Sequence, residues 1–84
     1  QQQFCGEITS YDPATGLADV SVKNKFAVGD KVEMILPNGN RDITVDAMFD
    51  KYGNSVQEAL GGGYEVRIPL PEAECQYGLL ARYY

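Results

Sequence analysis

Apolar residues recur at every second position through most of the chain. Phe4, Gly6, Ile8 and Ser10 alternate with Cys5, Glu7, Thr9 and Tyr11, and Ala18, Val20 and Val22 with Asp19, Ser21 and Lys23. Val32, Met34 and Leu36 alternate with Lys31, Glu33 and the apolar exception Ile35. Ile43 and Val45 stand between Asp42, Thr44 and Asp46, while Tyr64, Val66 and Ile68 flank Glu65 and Arg67. Leu79, Ala81 and Tyr83 alternate with Leu80, Arg82 and Tyr84. A period of two places one side-chain set in a core and the other in water, so each run predicts a strand.

Turn residues fall between the runs. In Asp12-Pro13-Ala14-Thr15-Gly16 the proline presets φ and the glycine accepts φ > 0. Val28-Gly29-Asp30 punctuates the entry to the third run, and Asn38-Gly39 is a strong hairpin signal. Tyr52-Gly53-Asn54 and Gly61-Gly62-Gly63 mark two further turns. The helical alternative is confined to one turn over Val45 to Phe49. Pro69 to Glu74 reads as an extended surface connection, because each proline removes a ladder donor. Six or seven short, mainly antiparallel strands predict an all-β fold, a small closed or partly open β-barrel. Closure is the expected way to hide strand edges.

Size and charge narrow the classes. With 84 residues, a single domain over 1–84 is expected, with no second lobe to form a cleft. The 44% apolar content is that of a folded chain. Twelve acids against seven bases leave a charge of −5, which repels bare phosphate at long range and confines nucleic-acid contact to a local basic patch. DNA binding is not expected. No run approaches the roughly 18 apolar residues of a membrane span, and no basic n-region precedes the first strand. A cytoplasmic protein is expected, and a chain opening on Gln1 reads as a piece of a longer one.

Candidate chemistry is sparse. Histidine is absent, which removes the usual general base and the commonest metal ligand. Ser10, Ser21, Ser55, Cys5 and Cys75 therefore lack an activating imidazole. The two cysteines form no CxxC pair and read as reduced, buried thiols; a disulfide would require the termini to meet. Asp42, Asp46 and Asp50 are spaced by four but lack a glycine-centred calcium loop, so solvated strand charges are the favoured reading. Gly61-Gly62-Gly63 lacks the Lys-Ser/Thr of a phosphate loop and precedes a strand, not a helix. No metal, cofactor or catalysis is expected from this chain.

Two features remain as binding candidates. Lys23, Lys25 and Phe26 lie in Lys23-Asn24-Lys25-Phe26-Ala27-Val28-Gly29-Asp30, a loop between strands. It is either a binding loop or a solvated turn with Phe26 in the core and Asp30 bonding its own backbone. Tyr77, Tyr83 and Tyr84 form either an aromatic platform for bases or a partner, or rings that cap the barrel with their hydroxyls outward.

The stretch GEITSYDPATGLADVSVKNKFAVGDKVEMILPNGN over 6–40, the Ala47-Met48-Phe49 segment and the closing IPLP and YGLLARYY resemble the C-terminal domain of peptidase family U32. The likeness covers nearly the whole chain, and the KNKF-xx-GD block is its most specific part. It is similar to the branch that contains tRNA uridine hydroxylation proteins. The resemblance implies a small barrel like the second domain of elongation factor Tu, following a catalytic (β/α) barrel with its own cysteine cluster. Cys5 and Cys75 are not the equivalents of that cluster. Gly61 to Tyr64 departs from the more basic or histidine-bearing stretch that the resemblance implies there. The expected partners are thus the preceding catalytic domain and, through it, tRNA or another RNA. Lys23, Lys25, Phe26, Lys31 and Arg41 are the candidate RNA or substrate contacts, and Tyr77, Tyr83 and Tyr84 the candidate packing surface for a protein partner.

Overall fold

The architecture is organised around β1 (Gln2–Asp12), which lies between β2 (Leu17–Val22) and β8 (Leu79–Tyr83). With β4 (Lys31–Leu36), β5 (Gly39–Thr44) and β7 (Tyr64–Pro69) they make one six-stranded sheet in the order β5-β4-β8-β1-β2-β7, every pairing antiparallel. Two two-residue strands, β3 (Phe26–Ala27) and β6 (Glu58–Ala59), form a second small sheet. The computed structural model describes residues 1–71 and 75–84, and among these no helix forms.

The alternation sorts side chains as the pattern predicts over β2 and β4 and, from Val66 on, over β7, whose first residue Tyr64 is exposed rather than in the core. Ala18, Val20, Val22, Val32, Met34, Val66 and Ile68 are buried. Phe26, Val45, Met48 and Ala59 join them from the segment that carries β3 and β6. Burying each of the larger of these side chains contributes about 1.5–3 kcal/mol.

Closure does not occur. β5 and β7 are edges that do not pair with each other, so the closed form of the expected barrel is corrected and an open sheet is what forms. The edge of β7 is occupied instead. The Phe49 N–H donates to the Arg67 carbonyl at 2.9 Å, and the Arg67 N–H returns to Phe49 at 2.8 Å. Phe49 also bridges Ser55. These bonds correct the helical alternative for Val45 to Phe49. The Val45 N–H is likewise spent on the Asp30 carbonyl at 2.9 Å.

A β-bulge corrects the inner face of β1. The β1–β8 register shifts between Phe4 and Gly6, so Cys5 and Gly6 are both buried and Phe4 is 42% exposed. A bulge frees backbone groups from the ladder. Here the Cys5 carbonyl accepts from the Lys23 and Asn24 N–H groups, at 2.8 and 3.3 Å. Asn24 Nδ2 reaches the Phe4 carbonyl at 2.7 Å. The lysine loop is thereby docked on the bulge.

The connection after β7 starts inside. Pro69 ends an edge strand, where a missing N–H is tolerated. Leu70 is then buried, its N–H bonded to the Gly16 carbonyl at 3.0 Å. The remainder of the expected surface connection, Glu72 to Glu74, lies outside the described residues. Both cysteines are buried thiols, not joined in a disulfide. At the two ends of the chain Gln1 and Tyr84 pair, the Tyr84 N–H donating to the Gln1 carbonyl at 3.0 Å.

Candidate nucleic-acid interface

The five expected RNA contacts do not assemble into one patch. Phe26 is 1% exposed, and Ala27 N–H donates to Asp30 Oδ2 at 2.8 Å. The Phe26 ring therefore serves the core and is unavailable for stacking. Lys25 Nζ lies 3.1 Å from Glu58 Oε2 across the β3–β6 pair, leaving little net charge there. Lys23 is exposed, and among the described residues no carboxylate is within ion-pair distance of it.

Lys31 and Arg41 lie on opposite faces of the β4–β5 ribbon. Lys31 pairs with Thr44 while Arg41 pairs with Met34, whose side chain points inward. Lys31 Nζ sits 3.6 Å from Asp42 Oδ2 and 5.3 Å from the centre of the Tyr83 ring. The Tyr83 hydroxyl donates to Asp42 Oδ1 at 2.6 Å, and that bond to an anion holds the phenol up at about 12. This corner is a closed set of mutual contacts.

The tyrosines separate as well. Tyr77 is 77% exposed in the turn before β8, whereas Tyr83 and Tyr84 lie at its other end, about 20 Å along a strand. They form no single platform.

At the inner side of β8, Arg82 Nε is shielded from solvent 3.2 Å from Asp30 Oδ2, a charge contact in which that nitrogen completes no hydrogen bond. Beside it, burial pushes the Cys5 thiol up to about 11, opposed by the Arg82 N–H and guanidinium charge. A thiol so held is a poor nucleophile. The core contains no polar or charged side chain, and no three His, Cys, Asp or Glu residues gather as a metal site, both among the described residues. Asp50 instead accepts from the backbone N–H groups of Tyr52 and Asn54, each at 2.9 Å. Those bonds draw its carboxyl below the usual carboxylate range.

One concavity with exposed aromatic rings was not anticipated from the sequence. Asp50, Lys51, Tyr52, Gly63, Tyr64 and Glu65 line a cleft of about 450 Å³. Its only sequence signal is an aromatic residue inside turn chemistry, Tyr52 before Gly53-Asn54.

An open, antiparallel all-β module with an apolar interior is thus the class of protein defined here. The chain belongs to the peptidase family U32 C-terminal domain family, whose pattern matches residues 1–82. It is 41% identical over 83 residues to tRNA hydroxylation protein P of Haemophilus influenzae, and 43% identical over 83 residues to that of Escherichia coli K12. Each alignment covers 98% of this chain and 18% of the relative, so the chain spans about a fifth of those proteins. Crystal structures of the C-terminal domain of a U32-family protein from Geobacillus thermoleovorans superpose with TM-scores of 0.88 and 0.86, at 28% and 29% identity. They cover 98% and 96% of this chain, and 93% and 99% of those chains.

Proposed function

We propose that this chain is the non-catalytic accessory domain of a cytoplasmic U32-family tRNA-modifying protein, where it helps bind and position RNA against a preceding catalytic domain. The observation that carries this reading is the alignment of 98% of the chain with tRNA hydroxylation proteins. A core that holds no polar or charged side chain among the described residues, only two buried thiols, supports a binding role over a bond-breaking one.

The charge distribution supports a particular kind of contact. Lys25 and Lys31 face acidic partners, so phosphate neutralisation has few free cations to draw on. Contacts to bases and to RNA shape carry the reading instead. The test is a tRNA titration of the parent with and without this domain, at low and high salt. Loss of affinity on deletion supports the proposal, and unchanged affinity with an unchanged salt slope overturns it.

A second reading has its own observation. Phe4, Ala81, Leu79 and Ile35 are cross-strand or same-face neighbours on the outer side of β1, β8 and β4. Phe4 is 42% and Leu79 37% exposed, an apolar stripe that fits a seat for the catalytic domain. In that case F4E with L79E frees the domain in the parent, read as new protease sensitivity at the junction.

A further inference from the structure

We propose that the cleft between the Asp50–Asn54 turn and the start of β7 is a stacking site for an unpaired nucleobase, with Tyr52 and Tyr64 supplying the rings. The assignment rests on the RNA-binding reading above and names a surface that the lysine loop does not include.

The first argument is rigidity. Single exposed aromatics are common and need no explanation when the backbone beneath them is loose. Tyr52 is 78% exposed, yet its turn is over-determined. Besides the two N–H bonds to Asp50 Oδ1, Asn54 Nδ2 reaches Oδ2 at 3.3 Å. The Gly53 N–H donates to the Asp50 carbonyl at 3.0 Å, and the Asp50 N–H to the Asn54 carbonyl at 2.8 Å. The adjoining Phe49 is clamped to Arg67 on β7, the same strand that Tyr64 opens. Both rings are thus referred to one strand. A turn backbone held in place before binding loses little freedom when a ligand arrives.

The second argument is shape. About 450 Å³ lies within the range of small-ligand clefts. Gly63 contributes wall without a side chain, and a Cβ there would meet nothing within 4 Å. Gly62 and Gly63 take φ of +85° and +89°, which swings the chain into Tyr64 and favours glycine at both positions. Of the three glycines, in which no phosphate loop could be read, Gly63 lines this cleft.

The third argument is chemistry. Lys51 Nζ stands 5.4 Å from the centre of the Tyr52 ring. Asp50 and Glu65 offset its charge, so the cleft has no net pull on phosphate. A neutral, planar group with N–H edges suits these walls. Its face meets a tyrosine, and its N–H groups meet Glu65. The exposed Lys23, whose neighbour Val22 accepts the Gly63 N–H at 2.8 Å, is left for a flanking phosphate. Base stacking of this kind tolerates any sequence.

The related Geobacillus domain crystallises apart from the rest of its chain, so the 84-residue chain can be tested alone. A fluorescein-labelled single-stranded oligouridylate, followed by anisotropy, is the probe. Y52A and Y64A are each expected to weaken binding about tenfold, and Y52F to retain it. Y77A, which removes an equally exposed ring elsewhere, should bind as the parent sequence does. Circular dichroism checks that each variant is folded. The assignment is overturned if the unaltered chain does not bind the oligouridylate, if Y52A and Y64A bind normally, or if Y77A weakens binding as much. Preferential capture of a protein segment at Tyr52 and Tyr64 also overturns it. Failure here, with deletion of the domain still lowering tRNA affinity in the parent, sinks the cleft and leaves the accessory role. Tyrosine-dependent binding with no effect of deletion does the reverse.

Discussion

Tyr83 reaches over β4 to donate its hydroxyl hydrogen to Asp42 on β5, at 2.6 Å. The contact ties three strands, since Lys31 on β4 sits 3.6 Å from the same carboxylate. A phenol bonded to an anion resists ionisation, and this one is raised from 10.0 to about 12. A raised folded value gives stability that is complete below pH 10 and is lost as pH climbs towards 12. Ultraviolet titration should show a phenol that ionises only at about 12, and D42N should lower that value. Identical titration curves for the two proteins would show that the bond is not what holds the proton.

Phe26 separates a stability effect from a binding effect. It is 1% exposed, so F26A opens a cavity and should cost about 3–5 kcal/mol, read from chemical denaturation. K23A should leave the denaturation midpoint where it was, because Lys23 is exposed. If F26A is neutral, the ring is not in the core.

Burial should also protect Cys5. Its thiol, raised from 9.0 to about 11, stays protonated near neutral pH. Alkylation of the folded chain at pH 8 should be slow and should accelerate on adding denaturant. Mass spectrometry of the Cys5 peptide reads this directly. Rapid labelling without denaturant would contradict the buried, protonated thiol.

Gly61 makes the closest backbone approach in the glycine turn. A Cβ there would stand 2.6 Å from the Lys23 carbonyl oxygen and 3.1 Å from Asn24 Cα. Neither is a flexible side-chain end, so G61A should destabilise by about 1–3 kcal/mol. A thermal melt of G61A that matches the unaltered chain would mean that the two loops separate freely.

Most of the sheet was legible because its information is local. Val20, Val32, Met34, Val66 and Ile68 follow a strict period of two, and Asn38-Gly39 announces its own hairpin. The Phe4–Gly6 bulge is different, for it arises in the register between β1 and β8, at opposite ends of the chain. Two-residue strands such as β3 and β6 are too short to show any period. Nor could closure be judged locally, since Phe49 takes the β7 edge through a contact 18 residues away in sequence, at Arg67. The candidate contacts failed to converge for the same reason. Whether a lysine is free or matched by an acid depends on partners such as Glu58 and Asp42, which strand register brings across.

Gln1 and Tyr84 close the outer end of the β1–β8 ladder, where the Gln1 nitrogen also lies 3.3 Å from the Tyr84 carbonyl oxygen. With both ends already adjacent, a short glycine-rich joint could link them while the chain is reopened at the exposed Pro37–Asn38 turn. The resulting circular permutant keeps every ladder of the sheet. It also moves the point of attachment to any fused protein from one side of the domain to the other.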